Sequence, residues 1–413
     1  MDFTNLAQKY GTPLYVYDFD YMAHRYEALK NAFHARKSLV CYAVKANSNL
    51  SVLKFLAGLG AGFDCVSVGE VRRALLAGAK NYQIILSGVG KRDDELKFVL
   101  ENEILMINLE SEAEMNRLEA IAKQLDKSAR ISIRVNPDID AKTHPYISTG
   151  LNENKFGVDL QTAKKMYLHA KNSPYLEPVG IHSHIGSQLT DIKPVIEAAK
   201  IVANLARELK AAQIDIKFFD VGGGIGIVYG DESEPDLYEY AQGILANLSG
   251  LDVTVVCEPG RFIVGNAGYF LTSVLYEKFN KEKRFVIVDG AMNDLIRPSL
   301  YQAKHKIFAL SGSKTLCECK KEQLRELKFS PCDVVGPICE SGDFLAKDRN
   351  LPPLNPGDLV VIKSAGAYGF AMSSNYNTRG RAAEVAVKGG EDFMIRRRES
   401  FEDVVALERE FLG

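Results

Sequence analysis

The feature that most constrains the fold is an alternation of short β-branched runs with amphipathic helical stretches, repeated eight times. Candidate strands run from Leu39 to Val44, Gly62 to Val66, Gln83 to Leu86, Ile104 to Ile107, Arg130 to Val135, Val179 to His182, Ile216 to Val221 and Val253 to Cys257. Between them lie stretches such as Glu70 to Ala77, Glu112 to Leu125 and Pro194 to Ala211, in which apolar residues recur at three- and four-residue spacing. Eight such units over roughly 240 residues suit a closed (β/α)8 barrel, whose usual length is about 250. A doubly wound sheet accounts for the count less naturally.

A barrel of this kind carries its site where strands end and the βα loops begin. Lys45, Asp64, Ser87, Asn108, Arg134, His184, Gly222 and Glu258 all fall at or just beyond the ends of successive candidate strands. Beyond about residue 268 the helical spacers stop. Strand-like runs follow instead, Arg284 to Asp289, Asp333 to Gly336 and Asp358 to Lys363, with a turn signal at Asn355-Pro356-Gly357. At 413 residues the chain is long enough for two domains. We expect an α/β barrel over 22–267 and a mostly β domain over 268–413, the latter joined by 1–21, where Thr12 to Tyr17 reads as a further strand.

With 51 Lys and Arg against 53 Asp and Glu, net charge is near zero, which argues against nucleic acid or a membrane surface held by bulk electrostatics. The basic run Arg396-Arg397-Arg398 reads as a solvated face. Neither a basic leader followed by an apolar core nor a bilayer-length apolar stretch occurs, so a soluble cytoplasmic protein is expected. Seven scattered cysteines without a C-x-x-C pair, Cys317 and Cys319 flanking Glu318 among them, suit free thiols in a reducing compartment.

Several residues carry possible chemistry. Lys45, in Tyr42-Ala43-Val44-Lys45-Ala46-Asn47, is either a solvated lysine at a strand terminus or a Schiff-base nucleophile. Gly222-Gly223-Gly224 follows a strand, as an anion-binding nest would, although a turn without ligand has the same composition. Ile227 replaces the last glycine of a dinucleotide fingerprint, and no Gly-Lys-Ser/Thr follows. Glu258 ends an apolar strand and needs a cationic partner, for which Arg261 is the simple structural choice. His182 and His184 share a strand face, but no carboxylate lies near them in sequence. No metal site is expected, and His182 reads as a satisfied core histidine.

Taken with His184-Ile185-Gly186-Ser187, Glu258-Pro259-Gly260-Arg261 and Cys339-Glu340-Ser341-Gly342-Asp343, these segments resemble the fold-type III pyridoxal 5'-phosphate decarboxylases. That group joins a TIM-like barrel to a β domain in the manner of alanine racemase. Within it the motifs are similar, in order and over nearly the whole length, to the members acting on meso-diaminopimelate. The resemblance implies decarboxylation of meso-2,6-diaminopimelate to L-lysine and carbon dioxide, the last step of bacterial lysine synthesis. It also implies a homodimer with shared active sites.

By position, it assigns Lys45 the Schiff base, His184 the face of the cofactor ring, and Glu258 the pyridine nitrogen, which it keeps protonated so that the ring takes up carbanion charge. Asp64, Ser187, Gly222, Gly223, Gly224, Gly260, Arg261 and Tyr368 complete the implied cofactor set. Cys339 of the partner subunit is the implied proton donor; a buried inert thiol is the plain alternative. Substrate contacts fall to Arg297, Tyr301 and Arg261 at a distal carboxylate, Glu340 at a distal ammonium, and Tyr368. The loop His144 to Gly150, with Asn154 to Gly157, is expected to close over the distal group. The alternative is another decarboxylase of this fold, acting on a basic amino acid or a carboxylated polyamine. Arg297 speaks against it, because arginine grips carboxylates bidentately.

Overall fold

A computed structural model describes residues 1–140, 155–312, 314–316 and 329–412. The expected loop His144 to Gly150, Asn154, and Cys317 to Cys319 lie outside the described residues. The chain divides into two compact units, one of 23–227 and 233–263, the other of 1–22, 228–232 and 264–413.

The first strand, β1 (Leu14–Asp18), belongs to the second unit. The next eight form a closed parallel barrel: β2 (Ser38–Ala43), β3 (Gly62–Cys65), β4 (Ile84–Leu86), β5 (Met106–Leu109), β6 (Ala129–Arg134), β7 (Leu176–His182), β8 (Phe218–Asp220) and β9 (Thr254–Cys257). Closure is made by β2 against β9, with Ser38 opposite Val255 and Val40 opposite Cys257. Cys41, Ile85, Leu105, Met106, Val179 and Val256 pack together out of water as an apolar core of the barrel.

Helices start where polar side chains satisfy their first N–H groups. Ser67 Oγ accepts from Glu70 and Ser111 Oγ from Glu114, while Asp159 and Asp236 each accept from two backbone N–H groups. These caps fix where each loop hands over to a helix. The residues just after each strand are thereby left to form the barrel mouth.

The second unit is built on a ten-stranded sheet. Its later strands are β10 (Gly268–Asn280), β11 (Lys283–Val288), β12 (Ile307–Ser311), β13 (Lys314–Leu316), β14 (Ser330–Val335), β15 (Phe344–Leu351), β16 (Leu359–Ile362), β17 (Ala383–Lys388) and β18 (Glu391–Arg396). β1 lies between β10, antiparallel, and β17, parallel. The helix Phe3–Tyr10 lays Leu6 on a core of Leu14, Val16, Leu271, Val361 and Val385.

The basic run near the C-terminus is not simply a solvated face. Arg396 Nε donates to Glu384 Oε2 at 2.7 Å, and Glu384, fully buried, also accepts from Tyr17 Oη at 2.7 Å. Burying a carboxylate requires such partners, and the sheet register supplies them. Among the described residues, no helix is long and apolar enough to cross a membrane.

Candidate active site

The C-terminal ends of the barrel strands form a connected polar network. Lys45 lies in the single helical turn Val44–Ala46 that ends β2, half exposed, with Nζ 3.5 Å from Asp64 Oδ2. Asp64, on β3, is buried and accepts from Ser87 Oγ at 2.8 Å; Ser87 in turn accepts from Asn108 Nδ2 at 3.1 Å. Four neighbouring strands thus contribute one link each to a chain that ends on the lysine. Burial pushes the Asp64 carboxyl upward and Glu258 adds to this, while Lys45 and the Ser87 hydrogen bond pull the other way.

Across the mouth, Arg134 ends β6. Its Nη1 donates to Glu110 Oε1 at 3.1 Å and its Nη2 to the His184 carbonyl at 3.3 Å. Glu110 also accepts from the Gly157 N–H at 2.7 Å, and the Arg134 guanidinium lies 4.6 Å from the Phe156 ring centre. The pair Arg134 and Glu110 is buried, so its charges and hydrogen bonds are mutually necessary.

His184 is held by the glycine turn, because the Gly223 N–H donates to its Nδ1 at 3.2 Å. That contact leaves the ring proton of neutral His184 on Nε2. Desolvation, then Arg134 and Lys45, keep the imidazole well below its usual range, hence neutral. The three glycines are needed for close approach. A Cβ on Gly223 would lie 2.2 Å from the Glu258 carbonyl oxygen, one on Gly224 2.3 Å from that of Gly186, and Gly222 has a φ of +67°. Gly260 is packed less closely, a Cβ there lying 3.0 Å from that of Ala46. Arg261 Nη2 donates to Ser187 Oγ at 3.2 Å.

Glu258, just after β9, has His182 Nε2 3.3 Å from its Oε2. Sequence reasoning offered Arg261 as its partner and read His182 as an ordinary core histidine. Barrel closure instead places β7, β8 and β9 side by side and brings His182, Asp220 and Glu258 together. The pairing spans 76 positions, and no local pattern announces it. Burial alone would raise the Glu258 carboxyl, but His182 and then Lys45 bring it down to about 2. Its Oε1 has no hydrogen-bond donor among the described residues.

Of the residues singled out in the sequence, Lys45, Asp64, His184, Ser187, Gly222, Gly223, Gly224, Glu258, Gly260 and Arg261 belong to the barrel unit. Arg297, Tyr301, Cys339, Glu340 and Tyr368 belong to the second. There Arg297 is buried at the start of the helix Arg297–Tyr301, its guanidinium 5.6 Å from the Tyr229 ring centre and 5.5 Å from that of Tyr301. Cys339 is exposed, and its N–H donates to Asn377 Oδ1 at 3.0 Å. Glu340, also exposed, accepts from Tyr376 Oη at 2.6 Å. Tyr368 is half-buried with a φ of +57°.

Residues 20–265 match the family model of the pyridoxal-dependent decarboxylase, pyridoxal binding domain. The whole chain is similar to the diaminopimelate decarboxylase of Campylobacter jejuni, 62% identical over 413 residues and covering 100% of both chains. That of Helicobacter pylori is 54% identical over 411 residues, covering 100% of this chain and 99% of the other. A crystal structure of the Helicobacter pylori enzyme complexed with L-lysine superposes with a TM-score of 0.94 at 53% identity, covering 99% of this chain and 100% of that one.

Proposed function

Because the chain belongs to the pyridoxal-dependent decarboxylases and its full-length relatives are diaminopimelate decarboxylases, we propose that it converts meso-2,6-diaminopimelate to L-lysine and carbon dioxide on a cofactor carried by Lys45. The observation that carries the site assignment is the contact of Lys45 Nζ with buried Asp64, 3.5 Å away, at the end of β2. The amine is held by a carboxylate yet remains half exposed to an incoming aldehyde. That the Helicobacter pylori structure was solved with L-lysine supports the choice of product.

The residues fit pyridoxal 5'-phosphate. Glu258 Oε1, buried and with no donor among the described residues, has lone-pair capacity to accept from a protonated ring nitrogen. The Gly222 to Gly224 turn clears room for a phosphate, to which the N–H groups of Gly224 and Gly260, the Ser187 hydroxyl and the Arg261 guanidinium offer donors. When bound, the cofactor supplies an electron sink for the carbanion that loss of carbon dioxide leaves. Glu258, held ionised beside His182, keeps the ring nitrogen protonated. Neutral His184, fixed through Nδ1, offers a flat face to the ring, and Asp64 orients the Lys45 amine.

The residues of the second unit deal with the substrate and the returning proton. Arg297 and Tyr301, with Arg261, grip the distal carboxylate. Glu340 takes the distal ammonium, and Tyr368 completes the phosphate site. The thiol of Cys339 delivers the proton that replaces the lost carboxyl group. We take Cys339 and Glu340 to act from the partner subunit of a homodimer, so that each site needs two chains. A cytoplasmic enzyme accords with the free thiols of Cys41, Cys65, Cys257, Cys332 and Cys339. The test is carbon dioxide release by purified protein supplied with meso-diaminopimelate, ornithine or arginine. Release from the first alone is expected, and release from ornithine or arginine at equal efficiency overturns the substrate assignment.

A further inference from the structure

Beneath the barrel mouth, three ionisable side chains from consecutive strands meet out of water. His182 ends β7, Asp220 ends β8 and Glu258 follows β9. All are buried, and one polar atom of each lies within 4.8 Å of the others. Asp220 Oδ1 accepts from the Gly222 N–H at 2.9 Å, and the Gly222 carbonyl accepts from the Glu258 N–H at 2.8 Å. Gly222 therefore ties Asp220 and Glu258 to the glycine turn at once. No donor among the described residues reaches Asp220 Oδ2 or Glu258 Oε1, and the two carboxyl groups approach within 4.8 Å of each other. Two ionised carboxylates so placed repel each other, and neither has a proton to donate. A single proton between them removes the repulsion and supplies the donor.

We propose that Asp220 and Glu258 share one proton that resides on Asp220, so that Asp220 is a neutral donor that holds Glu258 ionised and in position. The surroundings decide which partner keeps the proton. Glu258 has His182 on its other oxygen and Lys45 near it. Asp220 is faced by Glu258 and Asp64, by the thiols of Cys41 on β2 and Cys257 on β9, and by the Tyr240 hydroxyl. Burial keeps those thiols and that hydroxyl neutral. Burial and then Glu258 push the Asp220 carboxyl well up, against the pull of the Gly222 N–H.

The consequence for catalysis rests on reading Glu258 as the partner of the ring nitrogen; the location of the proton does not. Asp220 is a positioning residue, and Asp220→Asn preserves both of its contacts, a carbonyl for Gly222 and an N–H for Glu258. Asp220→Leu preserves neither.

Infrared spectra of apo- and holoenzyme, with and without 13C-aspartate, test the assignment directly. A protonated-carboxyl band that shifts with the label and vanishes in Asp220→Asn is expected. Turnover should fall ~10- to 100-fold in Asp220→Leu, the usual effect of losing a hydrogen bond to a charged group, and be largely restored, to within about 3-fold, in Asp220→Asn. Between the ordinary aspartate pKa and neutrality, the native wild type holds a proton that its unfolded chain releases. The advantage of Asp220→Asn in Tm should therefore widen as pH rises. A label-sensitive band set unchanged by Asp220→Asn, or a Tm difference flat from pH 5 to 8, overturns the proposal; both readouts stand even if Asp220→Leu fails to fold. Activity retained in Glu258→Gln, with the Asp220 band intact, overturns the reading of Glu258 and leaves the proton on Asp220.

Discussion

Arg297→Ala is the sharpest test of substrate choice. Arg297 is 7% exposed, and its guanidinium lies 5.6 and 5.5 Å from the ring centres of Tyr229 and Tyr301. Its charge is thus desolvated before any substrate arrives, which strengthens its attraction for a carboxylate. Truncating one partner of a buried charge pair costs about 2–5 kcal/mol, or ~30-fold to several-thousand-fold in kcat/KM. The low end is expected here, because removing so large a side chain admits water to the vacated space. The interaction lies remote from the reacting carbon and is present in bound and transition states alike, so the loss should appear mainly in KM. Arg297→Lys should fall between, since it keeps charge but loses the planar fork. Steady-state carbon dioxide release with meso-diaminopimelate measures the effect, with visible absorbance confirming full cofactor loading. L-lysine, which retains the distal carboxylate, should inhibit Arg297→Ala more weakly than wild type. Cadaverine, which has no carboxylate, should inhibit both alike. A kcat/KM within about 3-fold of wild type, with cofactor loading intact, would refute the assignment of Arg297 to the distal carboxylate.

Lys45→Ala should abolish both turnover and the covalent absorbance of bound cofactor; a variant that still turns over sinks the assignment of Lys45. Mixing inactive Lys45→Ala with inactive Cys339→Ala should restore activity through hybrid dimers with one intact site, and no rescue after demonstrated subunit exchange would place the thiol in the same chain. Asp294 is buried, and desolvation raises its carboxyl to about 7 against the pull of the Ala291 N–H. The native state keeps this proton up to about pH 7, whereas the unfolded chain releases it near pH 4, so stability falls with rising pH across that window. Asp294→Asn should gain on wild type by up to ~1.4 kcal/mol per pH unit there, read as a Tm difference that widens to neutrality and then levels off.

The barrel was legible because its parallel strands are buried on both faces and so read as continuous apolar runs. Their ends were less so. The expected strand Ile104 to Ile107 begins at Met106, since Leu105 still bonds back to Ile84 and Asn81 as a connector. β7 begins at Leu176, earlier than expected, because Pro178 interrupts the apolar pattern while the pairing to β6 resumes beyond it with a register shift. In the second unit the expected runs correspond to β1, β11, β14 and β16, whereas β10, β12, β13, β15, β17 and β18 escaped notice; in β15 the polar stretch Lys347-Asp348-Arg349 interrupts the apolar pattern. Single residues at strand ends, Lys45 and Glu258 above all, were visible because polar groups there need a reason. Their partners were not. His182 with Glu258 and Arg134 with Glu110 meet only once neighbouring strands are in register, and nothing local encodes that meeting.

The position of β1 has a consequence for how the polypeptide is made. Tyr17 pairs with Gly268 on one side and Ala386 on the other, so the first strand synthesised waits through roughly 250 residues for its nearer partner. At about 5–20 residues per second that is ~12–50 s. Throughout that time Leu14-Tyr15-Val16-Tyr17, an apolar β-prone tetrapeptide, has both edges open while the barrel emerges behind it. Such a segment is a template for wrong pairing between nascent chains. Yield in a cell should therefore depend on whatever shields this stretch on the ribosome, and moving β1 to follow β17 in a permuted gene would shorten its exposure.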